Sequence, residues 1–366
     1  MVALLTLFMT HQHMRLRFPI LVTFVAAALP ASAQTAPCTH ATTACQEWIT
    51  YAGGPARSLI YTNYRLDRPN SKVTRALIMV HGAGRNPDHY FETAMAAGFL
   101  ANAMENTVII APRFTAGNDK ADVNEVIWPE RRDSWRSGGM SPSNPTLSAF
   151  DFVDELLRQL ADKKRFPNLT KIVVAGHSAG GQFANRYEMA NKVHGTLGNV
   201  QVSYVVANPS SYAWPAAVRP LPTGDANPVD AYKASLEPHA EEVHSNFTFG
   251  AFDTTKAADY DRWPAGLEAR TSGYTAGLSD DQLKKNLASR PTTYLLGQVD
   301  VLPLGGFDSS PSAMAQGPTR RARGEAFFKY VTDSLGAKHK AIIVPECGHN
   351  DRCIYTTDIV FPVIFP

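Results

Sequence analysis

Cysteine is scarce in this chain, four in 366 residues, and none of the four forms a C-x-x-C pair, which removes the ligand spacing of a structural zinc site. No metal or organic cofactor is implied. An excess of one charge is also missing. Lys and Arg number 35 against 33 Asp and Glu, and residues 1–33 contain only Arg15 and Arg17 of these, so the remainder holds 33 of each sign. That neutrality argues against nucleic acid as a main partner, because phosphate binding calls for surplus Lys and Arg. Long apolar runs are lacking too: the longest, 18–29, falls short of the ~20 residues that a spanning helix needs. No stable membrane anchor is expected. There is no internal repeat, which excludes a solenoid.

What is present begins with a leader. From Met14 the chain reads MRLRFPILVTFVAAALPASAQ, with Arg15 and Arg17 ahead of the apolar run and Ala31-Ser32-Ala33 behind it, the layout of a secretory signal peptide over 1–33 whose true start is Met14. The protein is therefore expected to be secreted or periplasmic. Export makes an even number of cysteines read as disulfides. Three connectivities are open, and the local one, Cys38 with Cys45 and Cys347 with Cys353, is expected because each pair closes a small loop.

About 333 residues follow the leader, enough for one large domain. Apolar, β-branched runs over 58–66, 75–81, 107–111, 171–175, 201–207, 292–297 and 341–344 predict strands. Several are apolar throughout, as strands buried on both faces should be. Helical spacing appears over 147–164, 179–192 and 320–335. The alternation predicts an α/β fold, a mostly parallel sheet covered by helices on both faces. The expected division is an N-terminal disulfide segment over 34–56 and one domain over 57–366, with a Pro-, Trp- and Tyr-rich cap or lid inserted at about 211–290.

The densest signal is KIVVAGHSAGG, 171–181. A strand breaks into Gly-His-Ser-Ala-Gly and then into a helix, so Ser178 is expected at the tip of a tight turn, its hydroxyl exposed and the N–H of Ala179 aimed where negative charge would develop. Gly176 and Gly180 relieve crowding there. Upstream, RALIMV runs into His81-Gly82-Ala83-Gly84, where the N–H of Ala83 is the expected second oxyanion donor. A serine hydroxyl needs a base, and the base needs an acid to fix its tautomer. TTYLLG leads to Asp300 and AIIVPE leads to His349, giving the chain order Ser178, Asp300, His349. Asp253, Asp308 and Asp351 are alternative acids. His81 and His177 are expected to pack the turns, and His239 and His244 fall in the cap.

At these motifs the chain resembles the α/β-hydrolase superfamily over about 55–365, and within it secreted bacterial serine esterases of the polyester depolymerase and feruloyl esterase branch. The resemblance implies Ser178 as nucleophile, His349 as base, Asp300 as acid and the Ala83 and Ala179 amides as the oxyanion hole of a carboxylesterase without a cofactor. The partner would be a small-molecule or oligomeric ester, and no separate substrate-binding module is evident. Amide or peptide hydrolysis by the same triad and a non-catalytic binding protein on the same fold are the rival readings. Trp128, Trp135, Tyr212 and Trp214 are candidates for an aromatic substrate pocket or for cementing loops to the core. Arg131, Arg132 and Arg136 either hold a substrate carboxylate or form a solvated basic face.

Overall fold

The computed structural model describes residues 36–51, 54–131, 133–222, 247–270 and 273–366. The expected leader, Arg132, His239 and His244 lie outside them. The strands are β1 (Gln46–Thr50), β2 (Arg57–Thr62), β3 (Arg75–Val80), β4 (Thr107–Pro112), β5 (Lys171–His177), β6 (Gln201–Ala207), β7 (Val218–Pro222), β8 (Phe247–Ala251), β9 (Thr292–Gly297) and β10 (Lys340–Val344). Eight of them form one sheet in the order β1-β2-β4-β3-β5-β6-β9-β10. Pairing is parallel from β4 through β10 and antiparallel at the β1-β2-β4 edge. β7 and β8 pair separately as a hairpin.

Successive side chains of a strand leave opposite faces of the sheet, so the continuous apolar runs feed two cores. Ile172 and Val174 join one core with Phe150 and Leu157 of α2 (Ala149–Ala161), Phe183 of α3 (Ala179–Ala190), Leu283 of α4 (Asp280–Ser289) and Phe327 of α5 (Arg320–Leu335). Val173 and Ala175 join the other with Phe91 and Met95 of α1 (Pro87–Leu100) and Ile354 of α6 (Asp351–Thr356). The expected α/β architecture is therefore the observed one. The two-sided burial explains why these strands show no polar face.

The stretch expected as a cap over 211–290 ends in a helix of the sheet's own core, α4. Parallel neighbours such as β6 and β9 need a crossover connection, and α4 supplies it. Leu283 and Leu287 are fully buried, and Asn286 Nδ2 donates to the Met189 carbonyl at 2.7 Å. Only those two apolar residues at i and i+4 mark α4 as a core helix, so a polar sequence concealed it. Residues 223–246 of the expected cap lie outside the described residues. The 34–56 segment also contributes β1 to the sheet edge.

Candidate active site

Ser178 follows β5 directly and caps α3 with φ 58° and ψ −117°, a conformation that non-glycine residues rarely hold and that neighbours must enforce. The enforcement is steric. A Cβ on Gly176 would stand 2.1 Å from the Gly180 carbonyl oxygen, and one on Gly180 would stand 2.2 Å from that of Val80. Only glycine permits β3, β5 and the start of α3 to approach so closely. The Ser178 N–H donates to the Ala207 carbonyl of β6 at 3.0 Å, fixing the turn to the neighbouring strand.

Ser178 Oγ lies 2.9 Å from His349 Nε2, and His349 Nδ1 lies 2.9 Å from Asp300 Oδ2. Asp300 stands just past β9 and His349 just past β10, so adjacent parallel strands deliver both to the carboxyl edge of the sheet, where β5 delivers Ser178. The other carboxylates point elsewhere. Asp351 accepts from Thr93 at 2.8 Å and pairs with His89 at 2.9 Å, tying α6 to α1. Asp253 caps the turn that follows β8 by accepting from Thr255, and Asp308 lines a neighbouring cleft.

Among the described residues, neither the Ala83 nor the Ala179 N–H meets an acceptor. Both belong to turns abutting Ser178: a Cβ on Gly82 would lie 3.7 Å from the Ser178 Cβ, and Ala179 is the first residue of α3. Free N–H groups at a helix start carry partial positive charge. His81 is buried between the rings of Phe114 and Trp135, accepting from the Phe114 N–H at 3.1 Å. Burial pushes it down to about 4, so it stays neutral. His177 lies with its ring 4.7 Å from that of His349 and meets the Tyr90 hydroxyl at 3.1 Å. Burial, reinforced by His349, holds it well below the ordinary imidazole range.

Two supports had no sequence signal. Asn208, at the end of β6, accepts from the Gly297 N–H at 2.8 Å and donates to the Gly348 carbonyl at 3.2 Å, joining the ends of β6 and β9 to the His349 loop. Arg320, 1% exposed, approaches Asp300 Oδ1 at 3.4 Å and donates to Ser210 Oγ at 2.9 Å and to the Leu304 and Gly305 carbonyls at 2.8 Å each. Burial lowers its pKa and the Asp300 charge raises it. An arginine at a helix start and an asparagine after a strand read as surface residues until the fold encloses them.

Both disulfides take the local pairing, Cys38–Cys45 and Cys347–Cys353. The second brackets His349, while Asn350 caps α6 by accepting from the Cys353 N–H at 2.9 Å.

The aromatic pocket is corrected by the structure. Trp128, Trp135, Tyr212 and Trp214 are each no more than 1% exposed. Trp135 stacks on Phe114, Trp128 on Phe152 and Tyr212 on Phe327, while Trp214 meets Phe327 edge-on. Loops that follow strands can turn inward when their side chains gain more from core contacts than from solvent, and here they do. Their polar neighbours Ser134, Arg136 and Ser211 line the open space instead. Among the described residues no group of three or more His, Cys, Asp or Glu could hold a metal ion, and no helix is long and apolar enough to cross a membrane.

The model of the alpha/beta hydrolase family matches residues 77–358. No curated protein matches in sequence. Among solved structures, a poly(aspartic acid) hydrolase-1 from Sphingomonas sp. KT-1 is similar with a TM-score of 0.55 at 20% identity, covering 88% of this chain and 98% of its own. The poly(3-hydroxybutyrate) depolymerase LpqC from Bordetella parapertussis is similar with a TM-score of 0.55 at 20% identity, over 87% of this chain and 92% of its own. At that identity the likeness concerns the fold alone.

Proposed function

The chain belongs to the alpha/beta hydrolase family, and from that membership we propose that it is an exported serine hydrolase that cleaves carboxylic esters through an acyl-enzyme. The observation that carries this reading is the unbroken line Ser178–His349–Asp300, at 2.9 Å per link, mounted on a strained turn that exposes the serine. Ser178 Oγ attacks the ester carbonyl and its proton passes to His349 Nε2. The imidazolium so formed is held by Asp300 through Nδ1–H. The oxyanion receives the N–H groups of Ala83 and Ala179, each such donor contributing about 3 kcal/mol of transition-state stabilisation. Collapse expels the alcohol, protonated by His349, and water repeats the sequence on the acyl-enzyme.

Export is supported by the leader-like 1–33 segment and by two disulfides, which persist in oxidising compartments. Amide hydrolysis would use the same groups, with a poorer leaving group to protonate. One of the similar structures is named for a poly(aspartic acid) substrate and the other for a polyester, so both bond types belong in the assay. The test is hydrolysis of p-nitrophenyl esters and matched anilides by wild type and Ser178→Ala, alongside fluorophosphonate labelling mapped to its peptide. Labelling at Ser178 with ester turnover lost in Ser178→Ala is the expected result. Comparable rates on esters and anilides would move the assignment to amides, and absence of label and turnover would leave a binding protein.

A further inference from the structure

A cleft of about 920 Å³ lies along α3, beyond Ser178. Gln182 and Arg186 of α3 form one wall. They stand four and eight residues after Ser178 on the same helix face, about 6 and 12 Å along the axis. Helical side chains tilt toward the N-terminus, which turns the Arg186 guanidinium back toward the serine. Asp308 lines another wall, three residues beyond Gly305, whose added Cβ would lie 3.3 Å from the His349 ring.

The charges lining this cleft are not all matched. Arg262 lies 3.8 Å from Asp259, and Glu130 lies 2.7 Å from Arg85. Arg131, Arg136 and Arg186 enter no ion pair among the described residues. Arg186 is 2% exposed and donates only to neutral oxygens, Pro264 O at 3.1 Å through Nε and Ser211 Oγ at 3.2 Å through Nη2. Its Nη1 has no acceptor among the described residues. Arg136 reaches only the Glu130 carbonyl, at 3.4 Å, and its buried Nε has no partner. Asp308 is sensed electrostatically by both guanidiniums but lies beyond ion-pair distance, and Asp133 also lines the cleft. A buried cation without a counter-ion is costly. Burial accordingly brings the Arg186 pKa down to about 9.

We propose that Arg186 and Arg136 form a carboxylate-binding subsite that makes this enzyme select esters bearing a carboxylate roughly 6–12 Å from the scissile carbonyl. The proposal rests on Ser178 being the nucleophile. Neutral polar donors on Gln182 and Ser211 complete the wall, and their mutual hydrogen bond at 2.7 Å holds Ser211 against Arg186.

The test compares p-nitrophenyl monoesters of straight-chain dicarboxylic acids with p-nitrophenyl alkanoates of equal length, after subtraction of spontaneous hydrolysis. The readout is the charged-to-neutral ratio of kcat/KM in wild type, Arg136→Gln, Arg136→Lys and Arg186→Gln. At the best chain length wild type is expected to favour the charged ester about tenfold or more, as charge-assisted hydrogen bonds dictate. The ratio falls by a similar factor in both glutamine variants, mainly through KM, and recovers in part in Arg136→Lys. A ratio near one at every length, or equal loss on both ester types in Arg136→Gln, overturns the subsite. Arg186→Gln also gives up structural contacts; if it fails to fold, the Arg136 pair decides alone. If no ester turns over, the nucleophile assignment fails separately, and the subsite is read from calorimetric binding of adipate to the wild-type protein. A tenfold weaker Kd in Arg136→Gln supports it, and absence of saturable binding, or equal binding by the variant, overturns it.

Discussion

Arg320→Met is the substitution whose consequences the structure specifies most fully. The methionine keeps the length of the arginine stem and removes all of its donors. Two carbonyls, Leu304 and Gly305, and the Ser210 hydroxyl lose their partner, and Asp300, 2% exposed, loses its cation. Removing one member of a buried ion pair costs about 3–5 kcal/mol, a large fraction of the roughly 5–15 kcal/mol that holds a domain folded. The effect on turnover is smaller, because only one contact reaches Asp300. At 3.4 Å it exceeds the usual limit of about 3.2 Å, so its worth lies near the low end for charged groups, about 1.5 kcal/mol. That is roughly a tenfold fall in kcat. Urea unfolding followed by tryptophan fluorescence, with ester hydrolysis measured where the variant is still fully folded, separates the two effects. An unchanged urea midpoint would refute the account of burial. Lower stability with kcat unchanged would show that Asp300 needs no help from Arg320.

Three further expectations rest on equally local geometry. Asn208→Ala leaves the Gly297 N–H without its acceptor and frees the Gly348 carbonyl, so stability should fall by about 1–3 kcal/mol and kcat with it; full activity in the folded variant would refute the link between β6 and the His349 loop. Mild reduction of Cys347–Cys353, which brackets His349, should lower activity before far-ultraviolet dichroism changes, whereas loss of both together would make the bond a global brace. Burial raises Asp154 from 3.8 to about 6, opposed by hydrogen bonds from Tyr187 and Tyr274. The folded state then retains a proton that the unfolded state releases, so this group is neutral to stability below about pH 4 and destabilising as pH rises through 6, by a total on the order of 3 kcal/mol. His81, pushed down to about 4, acts in the opposite sense over the same window, so the quantity to measure is the stability difference between wild type and Asp154→Asn against pH. A difference that stays flat from pH 4 to 7 would exclude a perturbed Asp154.

Much of the molecule was legible in one dimension because its signals are local. An apolar run of β-branched residues is buried on both faces whatever lies beside it, which is why β3 to β6, β9 and β10 stand where the sequence places them. The turn at Ser178 is partly self-contained: Gly176 is demanded by the Gly180 carbonyl oxygen of its own motif, 2.1 Å from an added Cβ, whereas Gly180 is demanded by the Val80 carbonyl oxygen of β3, 2.2 Å from an added Cβ. The chain order and the strand ahead of Asp300 pointed to Ser178, Asp300 and His349, but that these three stand in one line while Asp308 and Asp351 face elsewhere depended on which strand ends are neighbours.

What the sequence by itself determined was the periodicity, the elbow and the family to which the chain belongs, while the local disulfide pairing it favoured was one of three until the structure fixed it. The tertiary structure alone decided which side chains face the open space. Trp128, Trp135, Tyr212 and Trp214 follow strand ends and look like pocket walls, yet core packing draws them inside. Arg186, Arg320 and Asn208 look like surface residues, yet the fold seals Arg320 against Asp300, ties Asn208 to the Gly348 carbonyl and buries Arg186 in the wall of a cleft. The physical reason is that burial is a collective property. A strand or a tight turn is specified by its own few residues, but whether a loop aromatic or a helix arginine meets water depends on segments a hundred residues away.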